Sequence, residues 1–241
     1  MIVYRDSRRI DFKTHVDWHE DHRLLKTAFD TSVRTTKATY DIQYGHVERP
    51  THYNNSWDWA RFEVVGHKWG DLSEQNYGVA ILNDCKYGYN AKDGTIKLSL
   101  LKSGKHPDTE ADMGAHDFTY ALYPHADGPV AGGVIEESVA LNLPLTAVSG
   151  QSPFSGRQIF AVEGTGIHID AIKKAEDSDQ ILLRFHECFG GTQKIRITSD
   201  FGIKAFTACD LLGQPLEETA EADTICRTVR PFEIVNYLVR F

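Results

Sequence analysis

Nowhere in this sequence do about 18 apolar residues run together, so no segment reads as a membrane-spanning helix. The first residues, MIVYRDSRRIDFKTHVDW, lack the apolar core of an export signal, although a chain cut from a longer protein would have lost any such leader. Cysteine is scarce: Cys85, Cys188, Cys209 and Cys226 lie far apart with no CxxC, which excludes a dense disulfide framework. Free, mostly buried thiols in a reducing compartment, the cytoplasm, are the expectation. An excess of basic charge is also missing. With 26 Lys and Arg against 34 Asp and Glu the formal net charge is −8, which argues against a nucleic-acid or anionic-membrane surface. A neutral or cationic small molecule, or another protein, stays open as a partner. There is no internal repeat, no low-complexity tract and no phosphate-binding glycine loop. GTGIHI (164–169) lacks the last glycine of the dinucleotide fingerprint and has no helix after it.

What remains is an ordinary globular composition, 41% hydrophobic and 25% charged over 241 residues. That length buries a real core in one large β domain or two smaller ones. Strand patterns dominate. IDFKTHVDW, LLKTAFDTSV and ATYDIQYGHV alternate through residues 2–48, and YGVAILND (77–84) is an apolar run of buried-strand length. The Lys92-Asp93-Gly94-Thr95 stretch carries the Asp-Gly hairpin signal. Residues 103–117 form a polar loop, after which DFTYALYPH returns as a strand. VIEESVALNLPL has helical spacing at Ile135, Val139 and Leu143 and stops at Pro144; it reads as a connector. Beyond the breaker cluster QSPFSG, a second set of short strands follows: IFAVEG, IHIDAIKKA, QILLRFHECF, TQKIRITSD, KAFTACDLL and EIVNYLVRF. Their turn spacing is that of a small sandwich.

Three clusters invite a metal reading and do not sustain it. His19 and His22 in HEDH are three apart beside a strand end and point to opposite faces. His186 and Cys188 with a distant Cys209 fall short of a zinc set. His168-Ile169-Asp170 reads as alternate residues on an exposed strand face.

The densest chemistry lies between Arg49 and Asn90, which holds Trp57, Trp59, Trp69, Tyr53, Phe62, Tyr77, Tyr87 and Tyr89 among polar turn residues. Rings beside Asn, Asp and Arg suit a sugar, whose C–H face stacks while its hydroxyls seek planar partners. A β-sheet core with decorated turns is the other reading. WDWARFEVVGHKW alternates as a strand would, with Trp57, Trp59, Arg61, Glu63 and Val65 on one face and Asp58, Ala60, Phe62 and Val64 on the other. Either Arg61 pairs with Glu63 or Asp84 beside a packed tryptophan, or this face lines a sugar cleft.

RPTHYNNSWDWARFEV, HKWGDLSEQNYGVAILNDCKYGY and ADMGAHDFTYALYPH together resemble the C-terminal region of family 38 glycoside hydrolases, retaining α-mannosidases, in their cytosolic/vacuolar and bacterial branch. The similarity extends through VDWHEDHRLLKTAFDTSVRTTKATYDIQYGHVERP upstream and VALNLPL and CDLLGQPLEE downstream.

The resemblance implies an all-β fold: a large antiparallel β-sandwich over residues 1–125, a connector with one short helix at 126–157, and a smaller immunoglobulin-like sandwich at 158–241. Whether the first sandwich is whole or truncated stays open. It also implies that the catalytic carboxylates and a zinc held by two His and two Asp sit in an N-terminal barrel preceding residue 1. Retaining chemistry needs two carboxylates about 5–5.5 Å apart. No strand–helix alternation of barrel type occurs here, so no catalytic or metal residue is assigned. The implied partners are that barrel and mannosides. The residues expected near its cleft are Asn54, Asn55, Trp57, Asp58, Arg61, Asp84, Tyr87 and Tyr89. An autonomous carbohydrate-binding module and a pure interaction scaffold are the alternatives.

Overall fold

A computed structural model describes residues 1–241, which divide into two units, Met1–Thr146 and Ala147–Phe241. The first unit runs β1 (Ile2–Val3), β2 (Ile10–Trp18), β3 (Leu24–Asp30), β4 (Lys37–Ile42), β5 (Gly45–Pro50), α1 (Ser56–Ala60), β6 (Val64–Val65) and β7 (Trp69–Ser73). It continues through β8 (Tyr77–Asn83), β9 (Gly88–Lys92), β10 (Thr95–Lys102), β11 (Gly114–Ala126) and α2 (Val134–Asn142). A seven-stranded sheet, ordered β1-β2-β11-β8-β7-β4-β5, faces a four-stranded sheet, β3-β10-β9-β6. Every strand pairing in both sheets is antiparallel.

The apolar run of β8 explains the layering. Successive side chains of a strand point to opposite faces, and both faces of β8 are covered. Val79 and Ile81 enter the core between the sheets with Tyr40, Leu72, Ile96 and Leu98. Ala80 and Leu82 point the other way, into a second cluster with Trp69, Ala121 and Val134 of α2. α2 therefore covers the outer face of the large sheet. Its buried face is Val134 and Ser138, one turn apart, whereas Leu143 lies just past the helix and is largely exposed. The unit boundary falls a few residues later, between Thr146 and Ala147, ahead of the QSPFSG cluster.

The β9–β10 hairpin turns through Asp93 (φ 51°) and Gly94 (φ 79°), the two left-handed residues that the Asp-Gly signal anticipates. At Gly94 a side chain is excluded twice over, since a Cβ would fall 2.9 Å from Thr31 O. ATYDIQYGHV is two strands, with Tyr44 (φ 56°) in the bend between β4 and β5.

The second unit comprises β12 (Ala161–Glu163), β13 (Ile167–Lys174), β14 (Ile181–Glu187), β15 (Gln193–Thr198), β16 (Ala205–Ala208), β17 (Ile225–Val229) and β18 (Ile234–Arg240). A three-stranded sheet, β12-β15-β17, faces a four-stranded one, β13-β14-β18-β16. This is the sandwich architecture of immunoglobulin-like domains. The core between the sheets holds Leu183, Phe185, Ile195, Ile197, Ile225 and Val239. β17 is absent from the sequence reading: only Ile225 and Val229 mark its inner face, and polar residues 217–224 precede it.

Candidate functional site

The Trp-rich stretch is not a strand at its centre. Residues Ser56–Ala60 form one turn of helix, α1, because Asn55 caps it. Asn55 Oδ1 accepts the N–H of Asp58 at 2.9 Å, and Asn55 Nδ2 donates to Asp58 Oδ2 at 2.7 Å. That is a reciprocal cap with Asp in the third helical position. The W-D-W-A alternation that resembles a strand is thus overridden by a local cap, and Asn-x-x-Asp was the signal for it. Asp58 turns inward, buried, with His52 Nδ1 at 3.4 Å from its carboxylate. Trp57 and Trp59 project outward on either side, 74% and 68% exposed.

From α1 the chain enters β6, the edge strand of the smaller sheet. Trp59 meets the ring of Tyr53 edge-on at 5.9 Å. Asn90 Nδ2 donates to Tyr53 Oη at 3.0 Å and to Phe62 O, while Lys92 Nζ sits 4.4 Å from the Tyr53 ring centroid. Gly66 N–H donates to Tyr87 O, so Tyr87 lies at the other end of β6, its ring edge-on to His67 at 5.4 Å. Phe62, Val65 and Tyr87 are all exposed. The result is an apolar ledge along the β6 edge: Trp57, Trp59, Phe62, Val65 and Tyr87. Trp59 and Val65 share the face assigned to Trp57 in the strand reading but are outside the eight residues expected near the cleft, and Phe62 belongs to the opposite face in that reading.

The eight expected residues do not form one group. Tyr89 is fully buried in the core, against Tyr40, with its hydroxyl donating to His67 O at 3.0 Å; burial raises its pKa far above that of a free phenol. It does not face a cleft. Asp84 lies elsewhere, its carboxylate accepting the N–H of Thr119 at 2.8 Å beside a surface hollow formed by Lys13, His15 and Asp117. Asn55 and Asp58 occupy each other. Asn54, Trp57, Arg61 and Tyr87 keep exposed side chains. Neither local pairing proposed for Arg61 forms, because Glu63 is taken by Lys26 of β3 and by Ser99 of β10.

No three His, Cys, Asp or Glu side chains converge as a metal site would require. Asp71 and His125 use the facing atoms on each other at 2.7 Å, and the other ring nitrogen of His125 meets Ala126 O at 3.2 Å. The residues of this chain do not fit a zinc.

These observations define an all-β chain of two antiparallel sandwich units with an aromatic ledge on one sheet edge. Residues 1–110 match the glycosyl hydrolases family 38 C-terminal domain, and residues 166–237 match the family 38 C-terminal beta sandwich domain. The chain belongs to the C-terminal region of family 38 glycoside hydrolases. It is 44% identical over 250 residues to alpha-mannosidase G of Dictyostelium discoideum, covering 98% of this chain and 23% of that protein. Human alpha-mannosidase 2C1 is 41% identical over 238 residues, covering 95% and 23%, and a Saccharomyces cerevisiae alpha-mannosidase is 32% identical, covering 97% and 24%. The fold superposes on an alpha-mannosidase from Enterococcus faecalis V583 with a TM-score of 0.79 at 19% identity, over 98% of this chain and 28% of that one. The chain therefore spans about a quarter of the length of these relatives.

Proposed function

We propose that this chain serves as the C-terminal β-sandwich region of a retaining α-mannosidase, acting as scaffold and cleft wall for a catalytic region elsewhere in the same polypeptide. The observation that carries the reading is the near-complete coverage of this chain by alpha-mannosidases four times its length. In that role the protein contributes position, not bond cleavage. Contacts remote from the reacting bond orient and distort a substrate that other groups cleave. The zinc of such an enzyme would be held by residues outside this chain.

Asn54, Trp57, Arg61 and Tyr87 are our candidates for approach to the mannoside cleft, since their side chains are exposed. Asn55 and Asp58 support them by fixing α1, and Tyr89 supports them from the core. The four cysteines stand as free thiols, two of them exposed, which favours a cytoplasmic setting. No helix is long and apolar enough to cross a membrane.

The test is hydrolysis of a chromogenic α-mannoside. The 241-residue chain alone is expected to be silent with or without added zinc, and the full-length polypeptide active. Zinc-dependent turnover by this chain alone would overturn the proposal. Calorimetric titration with mannose separates the binding-module reading, which requires heat at micromolar affinity.

A further inference from the structure

The large sheet of the first unit stops short on one side. β2 is nine residues long, yet its outer neighbour β1 covers only Ile10 and Asp11, while β11 covers the whole strand from the other flank. From Phe12 to Trp18 no strand lies against that edge. In an antiparallel ladder alternate residues turn their N–H and C=O groups to each flank. This stretch therefore keeps a row of backbone donors and acceptors with no strand to bind them.

The core is open on the same side. Phe12, Val16 and Trp18 point inward along β2, with Phe12 stacked on Tyr120 at 5.0 Å and 5.8 Å from the ring of Phe29 of β3. All three stay half-buried, as do Leu25 and Phe29, and Leu24 is 50% exposed. On the inner strands, by contrast, Tyr40, Leu72, Ile81 and Leu98 are closed off from solvent.

The opposite side of the sandwich is finished differently. β6 has two residues, the carbonyl of Val65 accepts from Arg49 Nη2 at 3.1 Å, and β5 ends at Pro50. Short edge strands and prolines keep a sheet from pairing with further chains. β2 has neither: it holds no proline, and its register with β11 runs unbroken from Ile10 to Trp18. A long, flat, unguarded edge beside an unsealed core is a seat for another strand.

The register says which strand. Ile2 stands opposite Asp11 and Val3 opposite Ile10, antiparallel. Each step back along the chain from Ile2 advances one step along β2, so Met1 comes opposite Phe12 and the stretch leading into Met1 comes opposite Lys13 to Trp18. Directly opposed residues share a face of the sheet. Residues meeting Thr14, Val16 and Trp18 thus face the core and should be apolar, whereas those meeting the exposed Lys13, His15 and Asp17 face solvent.

We propose that the open β2 edge seats the polypeptide that leads into Met1 in the parent protein. It runs there as an alternating strand that extends β1 along β2 and seals the core over Phe12, Val16 and Trp18. This rests on the proposed function only for the existence of that polypeptide, since the chain spans 23% of its alpha-mannosidase relatives.

The test is deuterium uptake, read by mass spectrometry, in peptides covering residues 10–18 of the full-length polypeptide and of the 241-residue chain. Uptake there is expected to be roughly tenfold slower in the full-length polypeptide, with β8 exchanging alike in both. Ile2→Pro combined with Val3→Pro removes both N–H groups through which β1 can pair. In the full-length polypeptide this double variant should return residues 10–18 to the fast uptake of the 241-residue chain, with β8 unchanged. Equal uptake in the two unsubstituted proteins would overturn the proposal. So would protection that survives the double variant, because another region would then merely shield this side. Protection that arises in the 241-residue chain alone as its concentration rises would give the edge to a second copy, and would sink the proposal too. None of these readouts depends on turnover: an unpaired β2 leaves the mannosidase reading standing, and an inactive parent leaves the strand standing.

Discussion

Asp71 of β7 and His125 of β11 meet through Oδ2 and Nε2 at 2.7 Å with both side chains closed off from solvent. Ser73 donates to the other carboxylate oxygen, and the second ring nitrogen of His125 faces Ala126 O. The pair ties the end of β11, where the chain leaves the sheet for α2, to a strand two places away in the sheet.

Burial works to lower the pKa of His125, and the hydrogen bond and charge of Asp71 overcome it, leaving the imidazole raised above 6.5. Burial raises Asp71, against the opposing pull of His125 and Ser73. The short hydrogen bond to a carboxylate decides the direction for the histidine. A group whose folded pKa is raised stabilises the fold fully below its unfolded pKa and ceases to do so as pH rises through the folded value. Stability of the first unit is therefore expected to decline as pH rises above about 6.5. His125→Asn should flatten that decline and cost about 3–5 kcal/mol at neutral pH, as the loss of one partner of a buried pair does. Urea titrations across pH 5 to 9 check both.

Gly78 makes room for that pair. A Cβ there would lie 2.2 Å from Ser73 Oγ and 2.3 Å from His125 Cε1. Gly78→Ala should cost about 1–3 kcal/mol through forced displacement of side chains in a close-packed site. Combined with His125→Ala, which empties the space, the penalty should shrink; a strictly additive double mutant would show that the crowding lies elsewhere.

Much of this architecture is legible in the sequence, and the reasons are local. β8 reads as central because all its inner residues are apolar, and the β9–β10 turn because Asp-Gly accepts the left-handed conformation. The ledge is legible only in part: strand alternation puts Trp57, Trp59 and Val65 on one face, but the local cap turns Ser56–Ala60 into helix and Phe62, assigned to the opposite face, is exposed as well. Tyr87 and Tyr89 look like one platform by strand periodicity, yet β9 starts at Gly88, so Tyr87 stays in the preceding turn while Tyr89 faces inward. The partner of Glu63 is Lys26, contributed by β3 from 37 residues away, which no local spacing anticipates.

The Asn55–Asp58 cap holds the exposed tryptophans in place. Asn55→Ala should cost about 1 kcal/mol, the usual penalty for losing an N-cap, and should loosen α1 without unfolding the sandwich. The readout is faster hydrogen exchange at Asp58 and Trp59 with exchange in β8 unchanged. Loss of protection throughout the first unit would mean that α1 supports the core instead of riding on it.

Glu187 is wholly buried at the end of β14, and its charge is met by the backbone rather than by a base. One carboxylate oxygen accepts the N–H of Phe189 at 2.9 Å; the other accepts those of Gly190 at 2.8 Å and Phe232 at 3.0 Å. It thus joins the turn after β14 to the turn before β18, while its own N–H donates to Glu233 O. Glutamine keeps the shape but replaces one accepting oxygen with an NH₂ group, which then confronts a backbone donor. Glu187→Gln should therefore destabilise the second unit by about 2–3 kcal/mol, the range for hydrogen bonds to a charged acceptor plus a stranded N–H. Glu187→Leu should cost more, since every one of those donors is left in the interior without an acceptor. Thermal unfolding of the two variants checks the order; a neutral Glu187→Gln would mean that water, not the carboxylate, satisfies the turns.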